Sequence, residues 1–281
     1  MGDSHTRAAM FAQPEWLRAV PTDERFPDGK LLFTGCGTSF HAAQTGGEAV
    51  QALELATAPE RDADLLVAIS HEGTTPMTLE AVRAWEGPAW LLTGAAESPL
   101  AAECERVVVV TPAIEQSWCH TASYTCAVAA IAALRGEDIS RLPDAVAAAL
   151  AQDVGEPPLG RVLVAGMGHA WPTAQEAVLK LREGAHLPAE AQHTEQLLHG
   201  HLAAIDETVR AYVLEGPRAA DAVRALEVLG CETTLVPSTH PVVDIVFFQL
   251  LTLAAAEARG VNPDVIRRDD ERWRRAREAY E

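Results

Sequence analysis

The chain has 281 residues, 48% of them hydrophobic and 22% charged, and a formal net charge of −18. That length can bury a full core, in one large domain or two small ones, and the composition is globular, not disordered. The negative charge argues against nucleic acid and against an anionic membrane surface as partners, since both are themselves anionic.

Residues 6–20 (TRAAMFAQPEWLRAV) predict a lead-in helix broken at Pro14, then a polar loop. The period changes next. Residues 31–34 read as a short buried strand, Gly35 and Gly37 as a tight turn, and Thr38 or Ser39 as the cap of a helix running through residues 42–54. A second strand is expected at 65–70, a loop at 73–76, and a helix at 78–85 with Pro76 just ahead of it. A strand at 90–94, a short helix at 99–105, a strand at 106–111 and a long helix at 123–134 follow. Strands that alternate with helices predict a parallel sheet covered on both faces.

An alanine-rich helix over residues 139–152 leads into DVGEPPLG, the best linker candidate. The plan then restarts. RVLVAGMGHAWPTAQEAVLKL repeats LLFTGCGTSFHAAQTGGEAV, with Gly166 and Gly168 standing where Gly35 and Gly37 stood. Strands at 210–214 and 231–237 and a helix at 250–259 complete it. The expected fold is α/β: two αβα subdomains with parallel sheets, residues 1–154 and 155–281, related by duplication.

The five cysteines are scattered with no C-x-x-C, as reduced thiols of a cytoplasmic protein would be. MGDSHTRAAM lacks a cationic start followed by an apolar run, so no signal peptide is expected. No uncharged apolar run has membrane-spanning length, the longest candidate lying near residues 127–134.

The chemistry concentrates in residues 173–206. Glu176, Lys180 and Glu183 fall at i, i+4 and i+7 of a predicted helix and share a face. Such a row is either a salt-bridged surface or a proton-transfer device, because proton transfer needs groups in fixed relative positions. Lysine usage leans toward the second. Of 22 basic residues only Lys30 and Lys180 are lysines, and an ammonium, unlike a guanidinium, can lose its proton when buried. His199, beside Gly200 in a polar segment, suits a mobile acid–base group.

G-C-G-T-S-F and G-M-G-H-A-W both lack the third glycine of the dinucleotide fingerprint. The turn can still present backbone N–H groups at Gly37 and the Thr38 and Ser39 hydroxyls to an anion, or be a plain capped turn. The I-S-H-E-G-T-T turn makes the same offer with Ser70, Thr74 and Thr75. The spacing of His193, Glu195, His199 and His201 fits no common metal motif, and no metal is expected there. His41, His169 and His240 read as surface or satisfied core residues. The Arg-rich tail reads as a solvated helix with Trp273 and Tyr280 packing inward.

With these motifs the chain resembles the SIS (sugar isomerase) domain family, especially the isomerase half of glutamine–fructose-6-phosphate amidotransferase and its stand-alone relatives. The resemblance runs from FAQPEWLR to NPDVIRR and is most specific at G-C-G-T-S (residues 35–39), I-S-x-x-G-x-T (69–75), E-A-V-L-K-L-R-E (176–183) and the H-G with A-x-I-D of residues 199–206. It implies paired flavodoxin-like αβα subdomains with parallel sheets, a homodimer, and phosphosugar binding at strand ends without metal or organic cofactor. Glu183 then aligns with the carboxylate that moves a proton between C1 and C2, and Lys180 and Glu176 with its charged neighbours. His199 aligns with a ring-opening histidine supplied by the partner subunit, and Thr38, Ser39, Ser70 and Thr75 with phosphate-binding hydroxyls.

Some positions depart from the pattern. Where the family reads S-Q-S-G-E-T, this chain has Ser70, His71, Glu72, Gly73, Thr74 and Thr75. Where it reads A-S-T-K, the chain has Cys119, His120, Thr121 and Ala122. The tail beyond Arg268 has no lysine and the sequence shows no glutaminase half, which points away from glucosamine-6-phosphate synthesis itself. His71, Glu72, His120 and Thr121 are therefore expected in a rebuilt substrate pocket. A carboxylate at Glu72 opposes a phosphate unless it turns outward, a protonated His71 or His120 intervenes, or the ligand end is unphosphorylated. The leading expectation is aldose–ketose isomerisation, or a related deamination or deglycation. The alternatives are a sugar-phosphate sensor, a remnant without chemistry, or an enzyme on an unphosphorylated sugar.

Overall fold

A computed structural model describes residues 4–280. They fall into two compact units. The first consists of Ala12–Glu115 and Thr121–Ala148; the second of the segment from Ala149 onward, Gln116–His120, and the residues up to Phe11.

Helix α1, His5–Arg18, runs unbroken through Pro14, so the expected break does not occur. Proline removes one N–H from the helical ladder. The helix continues because Met10, Gln13 and Leu17 on one face are buried.

The first unit is a five-stranded sheet. Strands β1 (Leu31–Gly35), β2 (Ala49–Gln51), β3 (Leu65–Ile69), β4 (Ala89–Thr93) and β5 (Arg106–Val109) lie in the order β2-β1-β3-β4-β5. Every pairing is parallel. Helices α2 (Thr38–Gln44), α3 (Ala52–Thr57), α4 (Pro76–Ala84), α5 (Ala122–Leu134) and α6 (Leu142–Ala149) flank it. All thirteen residues of α5 are buried, which explains a helix with almost no polar face. Each large apolar side chain so buried contributes roughly 1.5–3 kcal/mol.

The helix expected through residues 42–54 is not one element. It stops at Gln44, and β2 and α3 follow. Gly46 and Gly47 explain the break. Gly47 has φ +127°, and a Cβ on Gly46 would lie 2.5 Å from the Phe33 ring, so the backbone crosses where no side chain fits. The residues freed from the helix add an edge strand to β1.

The second unit repeats the plan with β6 (Arg161–Gly166), β7 (Ala189–His193), β8 (Val209–Leu214) and β9 (Glu232–Val236) in the order β7-β6-β8-β9, again all parallel. This is the order of the first four strands of the other sheet. Helices α7 (Ala170–Ala185), α8 (Thr194–Leu198), α9 (Ala219–Val228), α10 (Pro241–Ala258) and α11 (Glu271–Glu278) complete it. Strand β7 carries a polar sequence, AEAQH, and gave no apolar period to read.

α10 begins at Pro241, well before the expected residue 250, because His240 caps it by accepting the Val242 N–H. Its length and composition would allow a membrane crossing, but 56% of it is buried in the fold. α7 and α10 approach so closely that a Cβ on Gly184 would lie 2.6 Å from Thr252 Cγ2. The tail departs from expectation. Trp273 and Tyr280 are 36% and 76% exposed, not packed inward. Arg267 lies over the Trp273 ring at 3.9 Å, so a cation–π contact covers the indole.

Candidate active site

In the first unit the turns after β1 and β3 stand at neighbouring strand ends, where ligands of open parallel sheets bind. A Cβ on Gly35 would lie 2.8 Å from the Ser39 backbone, and Gly37 has φ +54°, so both glycines are needed for the turn. Gly37 itself is the N-cap of α2, with no capping side chain; Thr38 and Ser39 are its first two residues, not its cap. Ser70 is buried, its Oγ 3.2 Å from Thr75 Oγ1, and Pro76 opens α4.

His71 and Glu72 are half-buried. His71 Nε2 accepts the Glu115 N–H at 2.8 Å. Burial lowers the His71 pKa, and the Glu115 and Glu72 carboxylates pull against that shift. The ring is thus held neutral at pH 7, with its proton on Nδ1 as the bond to Nε2 requires. Glu72 Oε2 lies 3.5 Å from the exposed Thr74 hydroxyl.

The carboxylate of Glu115 is buried and accepts the Thr121 N–H (2.7 Å), the Thr121 hydroxyl (2.8 Å) and the Ser123 N–H (2.9 Å). Sequence reasoning did not single out Glu115. The available signal was an isolated acid six residues ahead of Thr121, at the head of a long apolar helix.

In the second unit α7 presents the predicted row. Lys180 Nζ donates to Glu183 Oε2 at 2.7 Å and lies 3.5 Å from Glu176 Oε1. Lys180 and Glu176 are 1% and 0% exposed, Glu183 24%. Burial works against the ammonium, but Glu183 and Glu176 outweigh it and hold the lysine above its ordinary range. Lys180 is therefore a fixed cation and not the titrating base that a buried lysine can become. Cys119 adds to the same field; a Cβ on Gly184 would lie 3.2 Å from its sulfur.

His120 is half-buried in the same unit. His199 follows α8 as its C-cap, with its side chain 83% exposed and 3.9 Å from Glu195 Oε1. His169 meets the Ser238 hydroxyl at 3.2 Å and His240 caps α10, so both are satisfied polar residues. The first unit thus gathers Gly37, Thr38, Ser39, Ser70, His71, Glu72, Thr75 and Thr121 at its strand ends, and the second aligns Glu176, Lys180 and Glu183.

Comparison with known proteins found no matching family model. A glutamine–fructose-6-phosphate aminotransferase (isomerizing) of Methanothermobacter thermautotrophicus is 26% identical over 89% of this chain and 52% of its own length. The chain spans about half, or less, of the curated relatives it matches. The C-terminal domain of glucosamine-fructose-6-phosphate aminotransferase from Francisella tularensis superposes with a TM-score of 0.81 at 19% identity, covering 93% of this chain and 98% of that one. The chain has the SIS fold. A second SIS-fold structure, tagatose-6-phosphate ketose/aldose isomerase from Escherichia coli, gives a TM-score of 0.76 at 18% identity over 94% of this chain and 95% of that one.

Proposed function

We propose that the protein is an enzyme that moves a proton between adjacent carbons of a hexose or amino sugar, in aldose–ketose isomerisation or a related deamination or deglycation. The observation that carries this reading is the pairing of a partly exposed carboxylate, Glu183, with a buried ammonium that stays charged. Glu183 takes the proton next to the sugar carbonyl and returns it to the neighbouring carbon. Lys180 orients that carboxylate through Oε2 and favours the negative charge that develops in the enediol or enolamine. Glu176 keeps Lys180 in place from the turn below.

In this reading Gly37, Thr38, Ser39, Ser70 and Thr75 hold one end of the sugar, with His120 and Thr121 among the residues that bind it. His199 acts in the cleft of a partner subunit of a homodimer, which accords with its exposure. The five free cysteines suit the reducing cytoplasm.

A second reading of the ligand has its own support. His71 gives its Nε2 to the Glu115 N–H and is held neutral, so it supplies no cation to offset Glu72. An unphosphorylated sugar end, bearing a hydroxyl or an amine, fits that turn better than a dianionic phosphate.

The deciding experiment is proton exchange at C2 in D₂O across a panel of hexoses, amino sugars and their 6-phosphates. Wild type is expected to exchange at least one of them and Glu183→Gln none. Binding without exchange would make the protein a sensor and end the enzymatic reading.

A further inference from the structure

Glu115 and His71 form one connected hydrogen-bond chain in the first unit. The Glu115 carboxylate takes the N–H groups of Thr121 and Ser123 at the start of α5. Those donors have no acceptor inside the helix, and they sit at the positive end of a 13-residue dipole. Thr121, the N-cap, gives α5 no side-chain cap of its own; its hydroxyl donates to Glu115 instead. The Glu115 N–H goes to His71 Nε2. The His71 carbonyl in turn accepts the Gly94 N–H at 2.8 Å and the Thr93 hydroxyl at 3.0 Å. The imidazole fills the space that Gly94 leaves open, for a Cβ there would lie 2.7 Å from Cε1 and 2.8 Å from Nδ1. The bonds therefore tie the ends of β3 and β4 to Glu115 and, through its carboxylate, to Thr121 and Ser123 at the start of α5.

The intervening segment, Gln116–His120, has bonds of its own inside the second unit. The Ser117 hydroxyl pairs with that of Thr6 at 2.6 Å, and the Trp118 N–H donates to the Asp264 carbonyl at 3.0 Å. Cys119 borders Gly184, the residue after Glu183. A shift of the segment would reach both His120 and the helix face that carries Glu183.

We propose that Glu115 and His71 are positioning residues: through their hydrogen bonds they hold Glu115 and Thr121 together and so set the conformation of the 116–120 segment and the placement of His120 and Thr121 toward the sugar. The catalytic part of this rests on the function proposed above; the clasp itself does not. Its chemistry leaves little tolerance. A protonated carboxyl or an amide at position 115 turns one of the two acceptor oxygens into a donor, which then faces an N–H that already points there. An imidazolium at His71 sets N–H against N–H and breaks the link to Glu115. The charged groups that act on the ring include Glu115 and Glu72, and Gly94, with the Thr111 hydroxyl beside it, lies against the ring.

The test is amide hydrogen exchange, resolved by residue, with the protein free of ligand. In Glu115→Gln the Thr121 and Ser123 amides are expected to lose about tenfold or more of their protection, as loss of charge-assisted bonds implies, while the β3 amides keep theirs. In wild type, protection of the Glu115 amide is expected to be lost only on the acid side of the ordinary histidine range, where His71 takes up a proton. His71→Gln, whose carbonyl oxygen accepts the same N–H without titrating, is expected to retain it. On a substrate, Glu115→Gln should raise KM more than it lowers kcat. Unchanged protection of Thr121 and Ser123 in Glu115→Gln overturns the clasp. If that variant does not fold, a Glu115 amide as well protected in His71→Phe, which keeps a ring and removes the acceptor, as in wild type overturns it. Exchange changes as expected, with no C2 proton exchange on any sugar, would leave the clasp standing and remove the enzymatic reading.

Discussion

Replacing Lys180 by methionine tests the electrostatics of the row directly. Methionine keeps most of the lysine stem's volume and removes the charge. Glu176, fully buried, would then lose the ammonium 3.5 Å from its Oε1. Breaking a buried pair by removing one partner costs about 3–5 kcal/mol, because the remaining charge is desolvated without compensation. At about 2 °C per kcal/mol for a chain of this size, the melting temperature should fall by roughly 6–10 °C. The penalty should depend on pH. With the ammonium gone, the buried Glu176 has a raised folded-state pKa, so the variant's deficit is full above that raised value. It shrinks as pH falls and Glu176 takes up a proton, and it disappears below the ordinary carboxylate range. Glu176→Gln in the Lys180→Met background should recover a large part of the loss, since it removes the stranded charge. The measurements are calorimetric or dichroism melts of the three variants from pH 8 to pH 5. A Lys180→Met melting temperature within a degree of wild type at pH 8, or one that does not recover toward acid, would refute the buried ion pair.

Other expected outcomes follow from the same structure. Glu183→Gln should abolish turnover with the melting temperature changed far less than in Lys180→Met, because Glu183 is partly exposed and its amide can still accept from Lys180; near-wild-type kcat refutes Glu183 as the base. Glu72→Ser should tighten binding of a hexose 6-phosphate relative to its unphosphorylated counterpart, read by titration calorimetry of both ligands. Two unit charges about 4 Å apart interact by roughly 4 kcal/mol at an effective dielectric near 20. Equal or weaker phosphosugar binding means that Glu72 does not guard the turn. Gly94→Ala should destabilise the fold by roughly 1–3 kcal/mol in chemical denaturation by pressing on the His71 ring. An unchanged midpoint refutes the wedge. Mixing Glu183→Gln with His199→Asn protein should restore activity that neither has alone, since a mixed dimer carries one site with both residues intact. No restoration counts against His199 acting in the partner's cleft.

The sequence carried the architecture because its strongest signals are local. Apolar runs at 31–34 and 65–69, glycines at the following turns and Pro76 at a helix start specify strand–turn–helix units wherever the chain lies. The i, i+4, i+7 spacing placed Glu176, Lys180 and Glu183 on one face, since helix geometry alone decides that. Tertiary structure decided what surrounds them. Lys180 remains an ammonium because two carboxylates outweigh its burial, a balance of distances that spacing does not reveal. β7 forms from a polar sequence because β6 offers it an unpaired edge. The break after Gln44 depends on a phenyl ring eleven residues earlier in the chain. Glu115 looked like any loop acid until the start of α5, six residues on, folded back onto its carboxylate. A residue's neighbours along the helix or strand are written in the chain; the partners that settle its charge and its hydrogen bonds arrive only when the chain packs.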